Sequence, residues 1–320
     1  MPKKTAVVEG VNIFSKAWSE VKKINWHEIN RLSHQNFYIG LVGDERDIQQ
    51  MKEWLRRFPY YLGNEEMEKR AIFHTRHMAK HTSEITVNLN GHYDEKLIKA
   101  ATFCLVAPMY LDQVRKHKVD VYPFYPDDVI ELPAQILSNY HEIRFGLSYS
   151  FPVFRPKHAN REIENTAFQN ASWVIVSGVS NIIPGPHQII SAPLAVISDF
   201  TVLTANEIKL LFELVGLSGH RVRPLYRLGE FAGVIGMAKI AETIANTIIA
   251  RVPATSGLLI KGALAYAFTW AIGEALYYYQ ASGRKASSGF LAGKFKEHYQ
   301  QGRKVAAGII QNKMTPNSLP

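Results

Sequence analysis

Phe37-Tyr38-Ile39-Gly40-Leu41-Val42-Gly43-Asp44-Glu45-Arg46-Asp47 decides how the first half of this chain is read. An apolar run ending in Gly, followed at once by a helix pattern, is the first strand and turn of a nucleotide-binding-like α/β domain. The helix pattern covers Asp47–Phe58, with Ile48, Met51 and Leu55 on one face. A working phosphate loop reads G-x-x-x-x-G-K-[ST], because backbone N–H groups, the lysine and the hydroxyl together hold phosphate and Mg²⁺. Counted from Gly43, Ile48 stands at the second glycine, Gln49 at the lysine and Gln50 at the hydroxyl. The loop carries Asp44, Glu45 and Asp47 against Arg46. That charge repels a triphosphate, and Asp47 reads as a helix N-cap or first-turn acid placed where a phosphate would sit. Gly43, Asp44 and Asp47 therefore mark a degenerate cofactor loop, and no cofactor is expected.

Beyond it the pattern goes on alternating. Ile85–Leu89, Thr102–Ala107 and Val119–Phe124 read as strands, and Asp127–Asn139 as a weak helix carrying Pro133. Strands alternating with helices imply a mostly parallel sheet. Thr102–Ala107 runs into Pro108-Met109-Tyr110-Leu111-Asp112, without the Asn-Lys pair of a guanine-reading motif. Phe151–Lys157, with Pro152 and Pro156, reads as a linker. Ahead of the sheet, residues 11–32 form an amphipathic helix pattern with Val11, Phe14, Trp18 and Val21 on one face. It suits either a helix docked on its own domain or an interfacial anchor.

From Arg161 onward the period is helical, over about 162–183, 193–215, 225–250 and 256–281, with a further amphipathic helix over 290–310 in a basic tail. Asn165–Ser198 contains no Asp, Glu, Lys or Arg. Its continuous apolar part, Ala171–Ile183, is too short to cross the ~30 Å of bilayer hydrocarbon. Both flanks are basic: Arg155, Lys157 and Arg161 before, Lys209, Arg221, Arg223 and Arg227 after. Either a hairpin dipping into the bilayer or a compact helical bundle meets that pattern.

The net charge is +9, with 22 Lys/Arg against 19 Asp/Glu in residues 1–160 and 15 against 9 in 161–320. The denser basicity of the apolar half favours a membrane surface over nucleic acid. The first ten residues hold two lysines and no apolar run, which argues against a secretory signal. Cys104, the lone cysteine, sits in an apolar run and reads as a core residue in a reducing compartment. His74, His77 and His81 share one helical face and are a weak candidate metal set, lacking a cysteine partner. Asp199, Asn206, Lys261 and Glu274 interrupt apolar helices, and pairing inside a bundle is their default role. No G-x-S-x-G motif surrounds Ser177 or Ser180.

The helical half resembles the bacterial family called "domain of unknown function 697", the YcjF-like helical domain found behind Era-like GTPase domains. The resemblance rests on Ile183-Pro184-Gly185-Pro186 after an apolar helix, Asn206-Glu207-Ile208 leading to Leu214-Val215-Gly216, Arg251-Val252-Pro253 before Gly257, and Thr269 to Gly273. It covers about residues 160–282. It implies a membrane-associated helical domain without assigned activity, here behind a GTPase-like relic. His187 stands where the family often has an Asp.

The expected fold class is α/β plus all-α: a small, mostly parallel sheet domain of degenerate P-loop type followed by an apolar four-helix-type domain. The expected parts are 1–35 (amphipathic helix), 36–157 (α/β), 158–283 (helical) and 284–320 (basic tail). The expected function is a non-catalytic adaptor or regulatory protein at the cytoplasmic face of a membrane or in the cytoplasm. Its expected partners are a membrane surface, a membrane protein or further copies of itself, and not nucleic acid. The competing readings are a nucleotide- or metal-binding enzyme with a non-standard site, and a soluble helical oligomer.

Overall fold

The computed structural model describes residues 24–57, 84–88, 95–180, 192–224, 229–230, 233, 236–237 and 257–314. In chain order the elements are α1 (Trp26–Ser33), β1 (Ile39–Gly43), α2 (Glu45–Arg56), β2 (Glu84–Asn88), α3 (Glu95–Ala100), β3 (Phe103–Val106), α4 (Leu111–Arg115), β4 (Asp120–Pro123), α5 (Leu132–Asn139), α6 (Arg144–Ser150), α7 (Arg155–Ser180), α8 (Ala192–Leu217), α9 (Gly257–Ser282) and α10 (Ser288–Met314). Short 3₁₀ turns, Pro108–Tyr110 and Pro152–Phe154, precede α4 and α7. The chain divides into two units, one of His27–Ala159 with Val215–Val222, the other of Met1–Trp26, Asn160–Leu214 and Arg223–Pro320. The architecture is a small parallel sheet with helices, joined to an all-helical part.

In the α/β unit the strands lie in the order β2-β1-β3-β4, every neighbouring pair parallel. The alternation of side chains along a strand sorts the core into two layers. Ile39, Leu41, Phe103, Leu105 and Tyr122 face Met51 and Leu55 of α2, Ile136 of α5 and Leu147 of α6. Val42, Cys104 and Val106 face the other way, onto Ile98 of α3 and Val114 of α4. The central strand is buried on both faces, which is why Phe37–Val42 is a continuous apolar run rather than an alternating one. Gly40 permits a close approach: a Cβ there would lie 2.5 Å from Cys104 Sγ. Pro123 is tolerated because β4 is the outermost described strand on its side.

Phe151–Lys157 is not a linker. Phe151, Val153 and Phe154 are buried in the larger core layer, and Arg155 opens a helix of 26 residues. Pro152 and Pro156 start their helical turns, where a missing N–H costs nothing. Arg155 fixes the corner, its Nε donating to Ser148 O (2.9 Å) and its Nη2 to Tyr149 O (3.1 Å). Segment 215–222 returns to this unit through Asn30, whose amide bonds both backbone groups of Val222 (3.0 and 2.9 Å).

In the helical unit several polar residues of the apolar helices are paired across helices. Asn206 Nδ2 donates to Asn170 Oδ1 (2.7 Å), and Asn170 Nδ2 donates to Thr269 Oγ1 (2.9 Å). This chain ties α8, α7 and α9 in one register, since a slip would leave buried amides unpaired. On α9, Glu274 meets Lys294 (2.9 Å) and His298 (3.4 Å) of α10. Burial raises its pKa, but those two partners outweigh burial and hold the carboxyl below its ordinary value. Residues 290–310, expected as an amphipathic helix in a tail, lie within α10, which packs along α9.

Candidate functional site

A doubly wound sheet places ligands outside the carboxyl ends of its strands, where the winding reverses. Here that point lies between β1 and β3, because the chain leaves β1 towards β2 and leaves β3 towards β4. The residues that follow those strands are Asp44–Asp47 and Ala107–Tyr110.

Only Asp44 separates β1 from α2. Its backbone is extended, and its Oδ1 accepts from Asp47 N (2.8 Å) while Asp47 Oδ2 accepts from Asp44 N (3.1 Å). Asp44 is thus the N-cap and Asp47 the third helical residue of a reciprocal capping box. The sequence placed Asp47 at the helix start; its partner Asp44 takes the cap itself. A Cβ at Gly43 would meet Asp47 Cβ at 2.5 Å, so the glycine exists to admit that carboxylate. The positive end of α2, the natural seat for an anion, is occupied by the protein's own acids. Gln49, at the lysine position of a phosphate loop, donates instead to Glu53 (2.8 Å) on its own helix. We expect Asp44→Ala to destabilise the α/β unit by about 1 kcal/mol and Asp44→Ser to be close to neutral. Urea unfolding of the two variants beside the parent measures both.

The neighbouring strand ends carry a different feature. Met109 after β3 is 74% exposed, and Tyr125 and Ile130 after β4 are 48% and 75% exposed. Their loops leave from paired positions, Val106 opposite Pro123. The segments that follow the two strands carry Asp112, Asp127, Asp128 and Glu131, with Arg115 near Asp112 at 3.8 Å and Lys157 near Glu131 at 3.4 Å. Together with Asp44, Glu45 and Asp47 against Arg46, these segments carry more acids than bases, opposite in sign to the chain as a whole. Exposed Met and Tyr side chains on loops suit contact with a partner protein.

Other candidates resolve differently. Cys104 is fully buried, and burial pushes its thiol up to about 12, so it is a core residue rather than a nucleophile. Ser148 Oγ and His158 Nδ1 lie 2.9 Å apart, a pairing that no sequence motif marks. Both are shut off from solvent, and His158 packs edge-on against Phe145 (4.6 Å), so the pair braces α6 against α7. His74, His77 and His81 lie outside the described residues, as do His187, residues 11–23 of the N-terminal pattern and most of 225–250. Asp199 lies in α8, while Asn206 joins the polar chain above. One residue stood out in the sequence only as part of a motif: Glu207 on α8 is 5% exposed, its Oε2 meets no donor, and burial raises its pKa to about 8. Thr204, one turn earlier on the same face, also has an unpaired buried hydroxyl.

Among the described residues no helix is long and apolar enough to cross a membrane, and no cluster of His, Cys, Asp and Glu suits a metal ion. Comparison with protein-family models, with curated proteins and with solved structures returned no match.

Proposed function

We propose that this chain is a non-catalytic adaptor or regulatory protein working at a membrane surface, with a degenerate P-loop-type α/β domain turned towards the cytosol. The observation that carries the reading is the capping box of Asp44 and Asp47, which fills with carboxylates the helix end that a phosphate would need. The acidic sheet edge around Met109, Tyr125 and Ile130 is the docking surface of the adaptor, and its charge fits a basic, partly apolar segment of a partner protein. The membrane part is supported by the uncharged stretch Asn165–Ser198, by its basic flanks and by the partial exposure of Phe168, Trp173 and Val176 on α7. The order of motifs from Ile183 to Gly273 supports placing the helical domain in the "domain of unknown function 697" family.

Isothermal titration with GTP, ATP and Zn²⁺ tests the non-catalytic half, and no saturable binding is the expected result. Tight stoichiometric binding of any of them would replace this reading with that of a ligand-binding enzyme. Sedimentation with vesicles containing phosphatidylserine tests the membrane half. A protein that stays wholly in the supernatant at low salt removes that half.

A further inference from the structure

We propose that the outward stripe of α10, centred on Lys296, Arg303 and Lys304, is an electrostatic docking face for an anionic bilayer surface. The inference rests on the membrane-surface reading and names the element that makes the contact. The inner face of α10 is already spent. Gly302, Ala306 and Ile309 are buried, Ala306 packs where a Cβ on Gly262 would meet it, and the rings of Phe295 and His298 lie against Phe268 and Trp270 of α9 at 4.4 and 4.2 Å. Lys294 is held by Glu274 and Glu297.

The opposite face is of another kind. Lys296, Arg303 and Lys304 recur at i, i+7 and i+8, all exposed, with Gln300 between them and Ala307 just beyond on the same side. One acid, Glu297, stands seven residues before Lys304 at the margin of that stripe, and it is engaged by Lys294 at 3.0 Å. Lys285 is exposed just ahead of the helix. A row of cations along one helix matches a plane of negative headgroups, each Lys or Arg near such a surface adding roughly 1 kcal/mol of attraction. The described part of α10 shows no large exposed aromatic on which a base could stack, which favours lipid over single-stranded nucleic acid. Because its apolar face is committed to α9, α10 adsorbs by charge and does not insert. Its binding is therefore reversible and salt-sensitive, unlike that of an inserting amphipathic helix.

The test uses the full chain and vesicles of phosphatidylcholine with or without phosphatidylserine. The parent is expected to bind the anionic vesicles at low salt and to release them at high salt. Replacing the stripe (Lys296→Gln, Arg303→Gln and Lys304→Gln together) is expected to weaken binding at least about tenfold. The same loss of charge elsewhere (Lys99→Gln, Lys116→Gln and Lys118→Gln) is expected to change it by less than about twofold, and circular dichroism checks that both variants remain folded. A stripe variant that binds like the parent overturns the inference while leaving the membrane reading standing. So does binding of the parent to neutral vesicles irrespective of salt. Stronger retention of the parent by DNA than by anionic vesicles overturns it in favour of a nucleic-acid surface, and absence of vesicle binding by the parent overturns both.

Discussion

Replacing Glu207 with Gln is expected to remove a steep loss of stability between about pH 5 and pH 8. Glu207 lies inside the helical unit with one carboxylate oxygen unpaired, and burial raises its pKa from 4.5 to about 8. In the unfolded chain the carboxyl gives up its proton near its ordinary pKa, while in the folded chain it keeps it. Between those values the folded state binds more protons, so stability falls as pH rises and levels off above the folded pKa. The slope for one proton is about 1.4 kcal/mol per pH unit, which makes the whole effect on the order of several kcal/mol. Gln keeps the shape and cannot ionise. Leu in its place also removes the unpaired oxygen and is expected to stabilise the unit across the range. Urea unfolding followed by tryptophan fluorescence, parent against Glu207→Gln at several pH values, reads the difference with the contributions of other groups cancelled. Parallel curves for the two chains would show that Glu207 is paired or hydrated in solution.

The second large effect belongs to Gly302, at the contact of α9 and α10. A Cβ there would stand 2.7 Å from the backbone carbonyl of Ala263 and 3.2 Å from Tyr266. A backbone oxygen inside a helix cannot step aside as the end of a side chain can, so the helices must separate. Gly302→Ala is expected to cost about 1–3 kcal/mol, and Gly302→Leu more. Gly308, six residues on, supplies the control, because a Cβ there meets nothing within 4 Å. Gly308→Ala is expected to be neutral or to stabilise by up to about 1 kcal/mol through helix propensity alone. Thermal unfolding of the two alanine variants separates the contact from the propensity, and equal melting temperatures would show that α10 does not pack on α9 as described.

Much of the α/β unit was legible because its signals are local. All four strand segments were marked, three by apolar runs and Ile85–Leu89 by alternation, and the observed strands lie within or one residue beyond those segments. The departure from the P-loop pattern is a matter of sequence alone, since Ile48, Gln49 and Gln50 stand where that motif requires other residues. Phe151–Lys157 misled because proline stops a helix from inside but starts one from its first turn, and which applies depends on whether Phe151 and Phe154 find a core to enter. Ser148 and His158 gave no signal, because their ten-residue spacing becomes a contact only when α6 and α7 meet at the corner fixed by Arg155.

The sheet edge shows the same division. Met109, Tyr125 and Ile130 are ordinary apolar residues along the chain, and only the parallel pairing of β3 with β4 carries their loops to one end of the sheet. The sequence by itself determined most of the element types, the basic charge and the departure from the P-loop motif after Gly43, because periodicity, charge and motif spacing act over a few neighbouring residues. The tertiary structure alone decided the strand order, the pairing of Asn170 with Asn206 and Thr269, the isolation of Glu207 and which side of α10 meets water. Each of these depends on contacts between residues far apart in the chain, and only packing brings those together.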